Sequence, residues 1–302
     1  MEVFDLTLHD GTIMRGFKWI AEDAKANFCF MTGMNEHSDR YDDLATYLCL
    51  NGINVYILDA LGQGRNALSL DEQEQWPLDG FEKNVEGIVK MVTKAKMEHP
   101  DLITTQGGHS MGSFLTQRRL QEYPDLCDKT LLIGSNGGQP GLMKLGFRVA
   151  KMLVGQKNWI RPVPTLDKLS LGGYAKAIKN RKTDLDWLSY NEANVQAYIA
   201  DPYCGAPDTG GFWHEFLRGM AKLWTKKEMA KVSQNEKILI LAGEDDPVGR
   251  FGKGPTWLKE TYLEQGVKEV ELILYPHMRH EIHNEDGKEL VWDDIRAFLL
   301  KE

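Results

Sequence analysis

The 302-residue sequence lacks any run of about 18 apolar residues, the length a membrane-spanning helix needs. Its longest apolar stretches are strand-sized, such as ILILAG at Ile238 to Gly243, so a soluble protein is expected. Nor is a secretory leader expected. The amino terminus reads MEVFDLTLHDG, acidic where a leader would be basic and without an apolar segment behind it, which points to a cytoplasmic protein. Cysteine is scarce: Cys29, Cys49, Cys127 and Cys204 are scattered and form no C-x-x-C pair. Neither a disulfide framework nor a zinc site follows, and the four read as small buried apolar side chains in a reducing compartment. Positive charge is outnumbered, with 36 lysines and arginines against 44 aspartates and glutamates, a net −8 that disfavours a nucleic-acid partner.

What is present is a βα rhythm. Val3 to Leu8 and Thr12 to Trp19 alternate in polarity around an Asp10-Gly11 turn and read as a hairpin. Strand-like runs follow at Asn27 to Thr32, Asn54 to Asp59, Leu102 to Gln106 and Lys129 to Gly134. Helical patterns at Asp39 to Cys49, Glu82 to Met97 and Met111 to Glu122 separate them. The rhythm breaks near Gly137 and resumes with strands at Lys237 to Leu241 and Glu269 to Tyr275 and helices near Pro255 to Gln265 and Lys288 to Leu300. Eight strands so arranged build a mostly parallel sheet with helices on both faces, an α/β fold. Residues 1–136 and 237–302 form its core, and 137–236 form an inserted helical cap.

The insertion has its own charge, with 15 basic and 9 acidic residues for a balance of +6, leaving −14 for the remainder. Two readings stay open. The lysines solvate helix faces, or they draw in anionic substrate and make peripheral contact with an anionic membrane.

The strand ending near Gln106 runs into Gly107-Gly108-His109-Ser110-Met111-Gly112 and then into a helix. G-x-S-x-G between a strand and a helix is the nucleophile elbow, a sharp turn that pushes the serine hydroxyl outward. A serine needs a base, and the base needs an acid, so both must lie downstream at strand ends. Glu244, Asp245 and Asp246 follow one strand and compete for the acid; His277, His280 and His283 follow the next and compete for the base. An oxyanion hole would use the backbone N–H of Met111, directly after the serine, and that of Met34 in the loop MTGMNEHS.

TGMNEHSDRY at Thr32 to Tyr41, GHSMG, GEDDPVG at Gly243 to Gly249 and RHEIHNE at Arg279 to Glu285 together resemble the α/β-hydrolase superfamily. Within it the chain is similar to the serine aminopeptidase-like hydrolases that include monoacylglycerol lipases and lysophospholipases. The resemblance implies Ser110 as nucleophile, Asp246 as acid because it directly precedes Pro-Val, and His280 as base because it precedes Glu-Ile. It implies no metal and no organic cofactor. Lipase-like members usually carry HGxGEHSxRY and, later, DxxGHGxS. Here Thr32 and Asn35 stand for the leading histidine and second glycine, and the later segment reads Asp59-Ala60-Leu61-Gly62-Gln63-Gly64-Arg65-Asn66.

The expected activity is hydrolysis of carboxylic esters of a small-molecule, lipid-like or apolar acyl substrate through an acyl-enzyme. Ten aromatic residues of the insertion, Trp187, Tyr198, Trp213 and Phe216 among them, are expected to line the acyl pocket. An apolar stripe at Leu142, Leu145, Val149 and Leu153 fits one helical face, a pattern that usually signals core packing. An aminopeptidase or amidase shares the fold; a peptidase acting on N-terminal residues would need acidic cap residues to hold a substrate ammonium, and the basic insertion argues mildly against it. A serine nucleophile argues against epoxide hydrolases and dehalogenases, which use aspartate. A non-catalytic binding protein of the same fold would tend to have lost part of the triad.

Overall fold

The computed structural model describes residues 1–301. β1 (Glu2–Thr7) and β2 (Ile13–Trp19) form the antiparallel hairpin across the Asp10-Gly11 turn. β3 (Ala26–Met31), β4 (Ile53–Leu58), β5 (Ile103–His109), β6 (Lys129–Ile133), β7 (Lys237–Gly243) and β8 (Glu269–Tyr275) complete one sheet in the order β1-β2-β4-β3-β5-β6-β7-β8. Only β2 runs against its neighbours; every pair from β4 to β8 is parallel. Parallel strands require crossover helices and so are covered on both faces. Accordingly every residue of β3, β4 and β6 is buried, whereas edge strand β1 alternates.

Two apolar layers flank the sheet. α2 (Gly80–Glu98), α3 (Met111–Glu122) and α10 (Lys253–Glu264) pack on one face through side chains such as Ile88, Leu115 and Leu258. α1 (Asp42–Leu50) and α11 (Lys288–Leu300) cover the other through Leu48, Trp292 and Ile295. Between β6 and β7 the chain forms helices α4 (Pro140–Leu153), α5 (Pro164–Ser170), α6 (Gly172–Ala177), α7 (Glu192–Ala200), α8 (Gly210–Leu223) and α9 (Lys226–Met229). Its one piece of β pairing among the described residues is an isolated Pro162–Thr209 bridge. No helix among the described residues is long and apolar enough to cross a membrane.

Three local expectations change. The helix expected from Asp39 begins at Asp42, because Ser38–Tyr41 first form a 3-10 turn. β5 runs three residues past Gln106, since Gly107 and Gly108 stay in register with Leu131 and Leu132 of β6. The α4 stripe is not core: Leu142 and Leu145 are 54% and 55% exposed, and only Ala150 of this helix is buried. All four cysteines are free; Cys29 and Cys127 are buried as expected, but Cys49 and Cys204 are only partly so.

Candidate active site

The elbow is built by backbone crowding. β5 ends at His109, Ser110 takes φ 50° and ψ −115°, and α3 starts at Met111. A positive φ on a non-glycine residue is costly and persists only where the surroundings enforce it. Here the Ser110 N–H donates to the Ile133 carbonyl at 3.0 Å, and the glycines on either side leave room for the turn. A Cβ on Gly108 would stand 2.4 Å from the Gly112 backbone, and one on Gly112 would stand 2.2 Å from the Met31 carbonyl oxygen. Ser110 is left partly exposed on a cavity wall.

Beyond β7 and β8 the competing acids and bases separate. Asp246 is fully buried; its Oδ2 lies 3.0 Å from His280 Nδ1 and its Oδ1 accepts the Val248 N–H at 2.8 Å. Asp245 instead accepts the Tyr190 hydroxyl at 2.9 Å, and Glu244 is exposed. His280 reaches the same cavity as Ser110. His277 is exposed on a turn at φ 56°, away from that wall, and His283 is buried behind it, stacked on Tyr41 with both ring nitrogens unpartnered. Burial, reinforced by the nearby His109, pushes the His283 imidazole well below its usual range.

Met34 and Met111 both line the cavity. Met111 is the first residue of α3, so its N–H has no acceptor within the helix. The β3–α1 loop that carries Met34 is held by a buried cluster. Glu36 accepts the Gly33 N–H and the Tyr41 hydroxyl, and its Oε1 lies 2.9 Å from His109 Nδ1. The other His109 nitrogen lies 3.3 Å from the His280 carbonyl oxygen, so the x of G-x-S-x-G touches both the loop and the strand end. Burial alone would raise the Glu36 carboxyl, but His109 and Arg40 outweigh it and hold it below the carboxylate range. Glu36 in turn raises His109 against its own burial. Arg40 also pairs with Glu281, the residue after His280.

Asn35, where a glycine is usual, has φ 57°, a left-handed conformation that glycine and asparagine adopt more readily than other residues. Its carbonyl accepts the Tyr198 hydroxyl at 2.8 Å and the Gly205 N–H at 3.1 Å, tying this loop to the helical segment. His37 Nε2 makes a further tie to Asp201 at 2.8 Å. With Cys204 these form the one trio of candidate metal-ligating side chains among the described residues, their ligand atoms within 4.8 Å of one another. The Arg40 guanidinium already lies close enough to oppose the burial-driven rise of the Cys204 thiol.

The cavity measures about 710 Å³ and lies between the sheet end and the helical segment. Of the ten aromatics, Tyr174, Trp187, Tyr198, Trp213, Phe216 and Trp224 line it. Trp159 instead donates its indole N–H to the Trp76 carbonyl, Phe212 packs on Trp76, and Tyr190 and Tyr203 face outward. Leu142, Leu145 and Val149 of α4 complete the apolar wall. Beyond the EHSDRY run itself, nothing in the sequence signals the Glu36–His109 cluster. Nor does it signal Asp208 and Asp167, two acidic residues of the helical segment on the same wall.

The sequence profile of the serine aminopeptidase family, S33, matches residues 22–287. The chain belongs to this family. Proteins similar to it include a monoglyceride lipase homolog of Monkeypox virus, 24% identical over 271 residues that cover 89% of this chain and 84% of the relative. A monoacylglycerol lipase of Mycolicibacterium smegmatis is 26% identical, with 89% and 85% covered. Among solved structures, a thermostable carboxyl esterase from Bacillus coagulans superposes with a TM-score of 0.89 at 24% identity, covering 99% of this chain and 98% of that one. This S33 chain therefore has the α/β-hydrolase fold expected from its motifs.

Proposed function

We propose that Ser110, His280 and Asp246 form a triad that hydrolyses carboxylic esters of lipid-like or apolar acyl groups. The protein is a carboxylic ester hydrolase, in line with the monoacylglycerol lipases it resembles along most of their length. The observation that carries the triad is the Asp246–His280 hydrogen bond facing the same cavity as a serine held at positive φ. In this reading His280 takes the Ser110 proton as the hydroxyl oxygen attacks the ester carbonyl. Asp246 fixes the imidazole and stabilises its cation. The Met34 and Met111 N–H groups bind the oxyanion. His280 then protonates the leaving alcohol, and water cleaves the acyl-enzyme by the same route.

Residues 137–236 act as the cap over this site, and the aromatic and leucine wall receives the acyl chain. The C-terminal end of α4 fits approach from a lipid surface: Met152 and Leu153 are exposed there close to Lys151 and Arg148. Fluorophosphonate labelling tests the chemistry. Labelling of the native protein and its loss in Ser110→Ala, with kcat for p-nitrophenyl octanoate falling roughly 10,000-fold at unchanged circular dichroism, are expected. Near wild-type turnover by Ser110→Ala would overturn the assignment.

A further inference from the structure

One part of the cavity wall does not suit a plain hydrocarbon chain. Asp208, 1% exposed, contributes to that wall, and neither of its carboxylate oxygens meets a hydrogen-bond partner in good geometry, the Asn35 side chain being a close polar neighbour. The side-chain oxygen of Asn35, next to the proposed oxyanion donor Met34, is likewise buried and unpartnered. Asp167 stands on the same wall and accepts the Trp213 indole N–H at 2.6 Å; Glu74 lies behind, taking an amide N–H of Gln63 at 2.9 Å. Burial lifts the Asp208 carboxyl well above its usual range, Glu74 and Asp167 push the same way, and the neighbouring Asn35 side-chain amide pulls against them without cancelling the rise.

A buried polar group without a partner is destabilising and is rarely retained unless something completes it. Here two such groups converge on a cavity that opens at the proposed nucleophile. The missing partner must donate to the bare acceptors, Asn35 Oδ1 and the Asp208 oxygens. An alcohol suits a protonated Asp208, since O–H both donates and accepts, and a protonated amine suits the carboxylate form. Asp208 precedes Thr209, the residue that caps α8, the helix that brings Trp213 and Phe216 to the wall, which places it on the side assigned to the acyl chain.

We propose that Asp208 and Asn35 form a polar subsite that selects acyl groups carrying a hydrogen-bond donor, an alcohol O–H or an amine N–H. The inference rests on the ester-hydrolase reading, and its test separates the two. Rates are measured for p-nitrophenyl esters of straight acyl chains from four to twelve carbons, each plain, ω-hydroxylated or ω-aminated, so that chain length moves the donor along the cavity. Hydrolysis of the plain series bears on the esterase reading; the ratio of kcat/KM for donor-bearing over plain esters bears on the subsite.

In the wild type that ratio is expected to reach about tenfold at one length. In Asp208→Leu it should fall to one or below, with the plain ester improved. Asp208→Asn distinguishes the two donors: retention of the preference identifies the alcohol, and its loss identifies the amine. No favoured length in the wild type, or a preference that survives in Asp208→Leu, would overturn the proposal. So would an Asp208→Leu variant that melts higher yet keeps every ratio, which would mark the carboxyl as a structural burden only.

Discussion

At Gly112 a single added carbon decides whether the elbow can form. The nearest atoms, the Met31 and Thr32 carbonyl oxygens at 2.2 and 2.5 Å from an added Cβ, belong to backbone and cannot swing aside. Gly112→Ala is expected to lose about 3 kcal/mol of stability, the upper end of ordinary overpacking, read as a lower urea midpoint. A variant as stable as the wild type would show that β3 gives way. The spacing G-x-S-x-G was readable because steric demand fixes residue type at each place. The choice among Glu244, Asp245 and Asp246 was not legible from spacing, since it depends on which carboxylate the β7 turn rotates toward His280. Asp208 was equally silent: an aspartate before a helix cap normally reads as a solvated loop side chain.

Among the elements, the strands and helices of the sheet domain were the most legible, because their apolar periods continue for whole turns. α4 departs from the usual meaning of its apolar stripe for a physical reason. Periodicity reports that one face avoids water, not what covers it: Leu142, Leu145 and Val149 line a cavity, while Leu153, further along the same face, lies beyond it and is exposed with Met152. If the outer end of α4 meets lipid, Met152→Ser with Leu153→Ser should slow hydrolysis of a monoacylglycerol held in anionic vesicles about fivefold or more. Turnover of water-soluble p-nitrophenyl acetate should stay level. Equal effects on both substrates would refute surface docking, because interfacial binding matters only when the substrate is in the membrane.

For the molecule as a whole, buried acids set a pH dependence. Burial pushes Glu74 up from 4.5 to about 8. The folded chain then holds a proton that the unfolded chain releases, so the contribution of Glu74 to stability is most favourable below about pH 4.5 and declines as pH rises toward 8. Glu74→Gln removes that proton, so its melting temperature should overtake the wild type's by a margin that widens between about pH 5 and pH 8. A constant gap across that range would contradict the shift. The body's net −14 and the insertion's +6 were countable from composition, whereas the joints between the two parts were not. One such joint, the Asn35 carbonyl held by Tyr198 and Gly205, links two events that could have been independent. Swinging the helices away to admit or release a ligand would slacken the loop that carries Met34. With Met34 in its proposed role as oxyanion donor, the gaping form would be catalytically idle, and no acyl group would be activated while bulk solvent could flood the chamber.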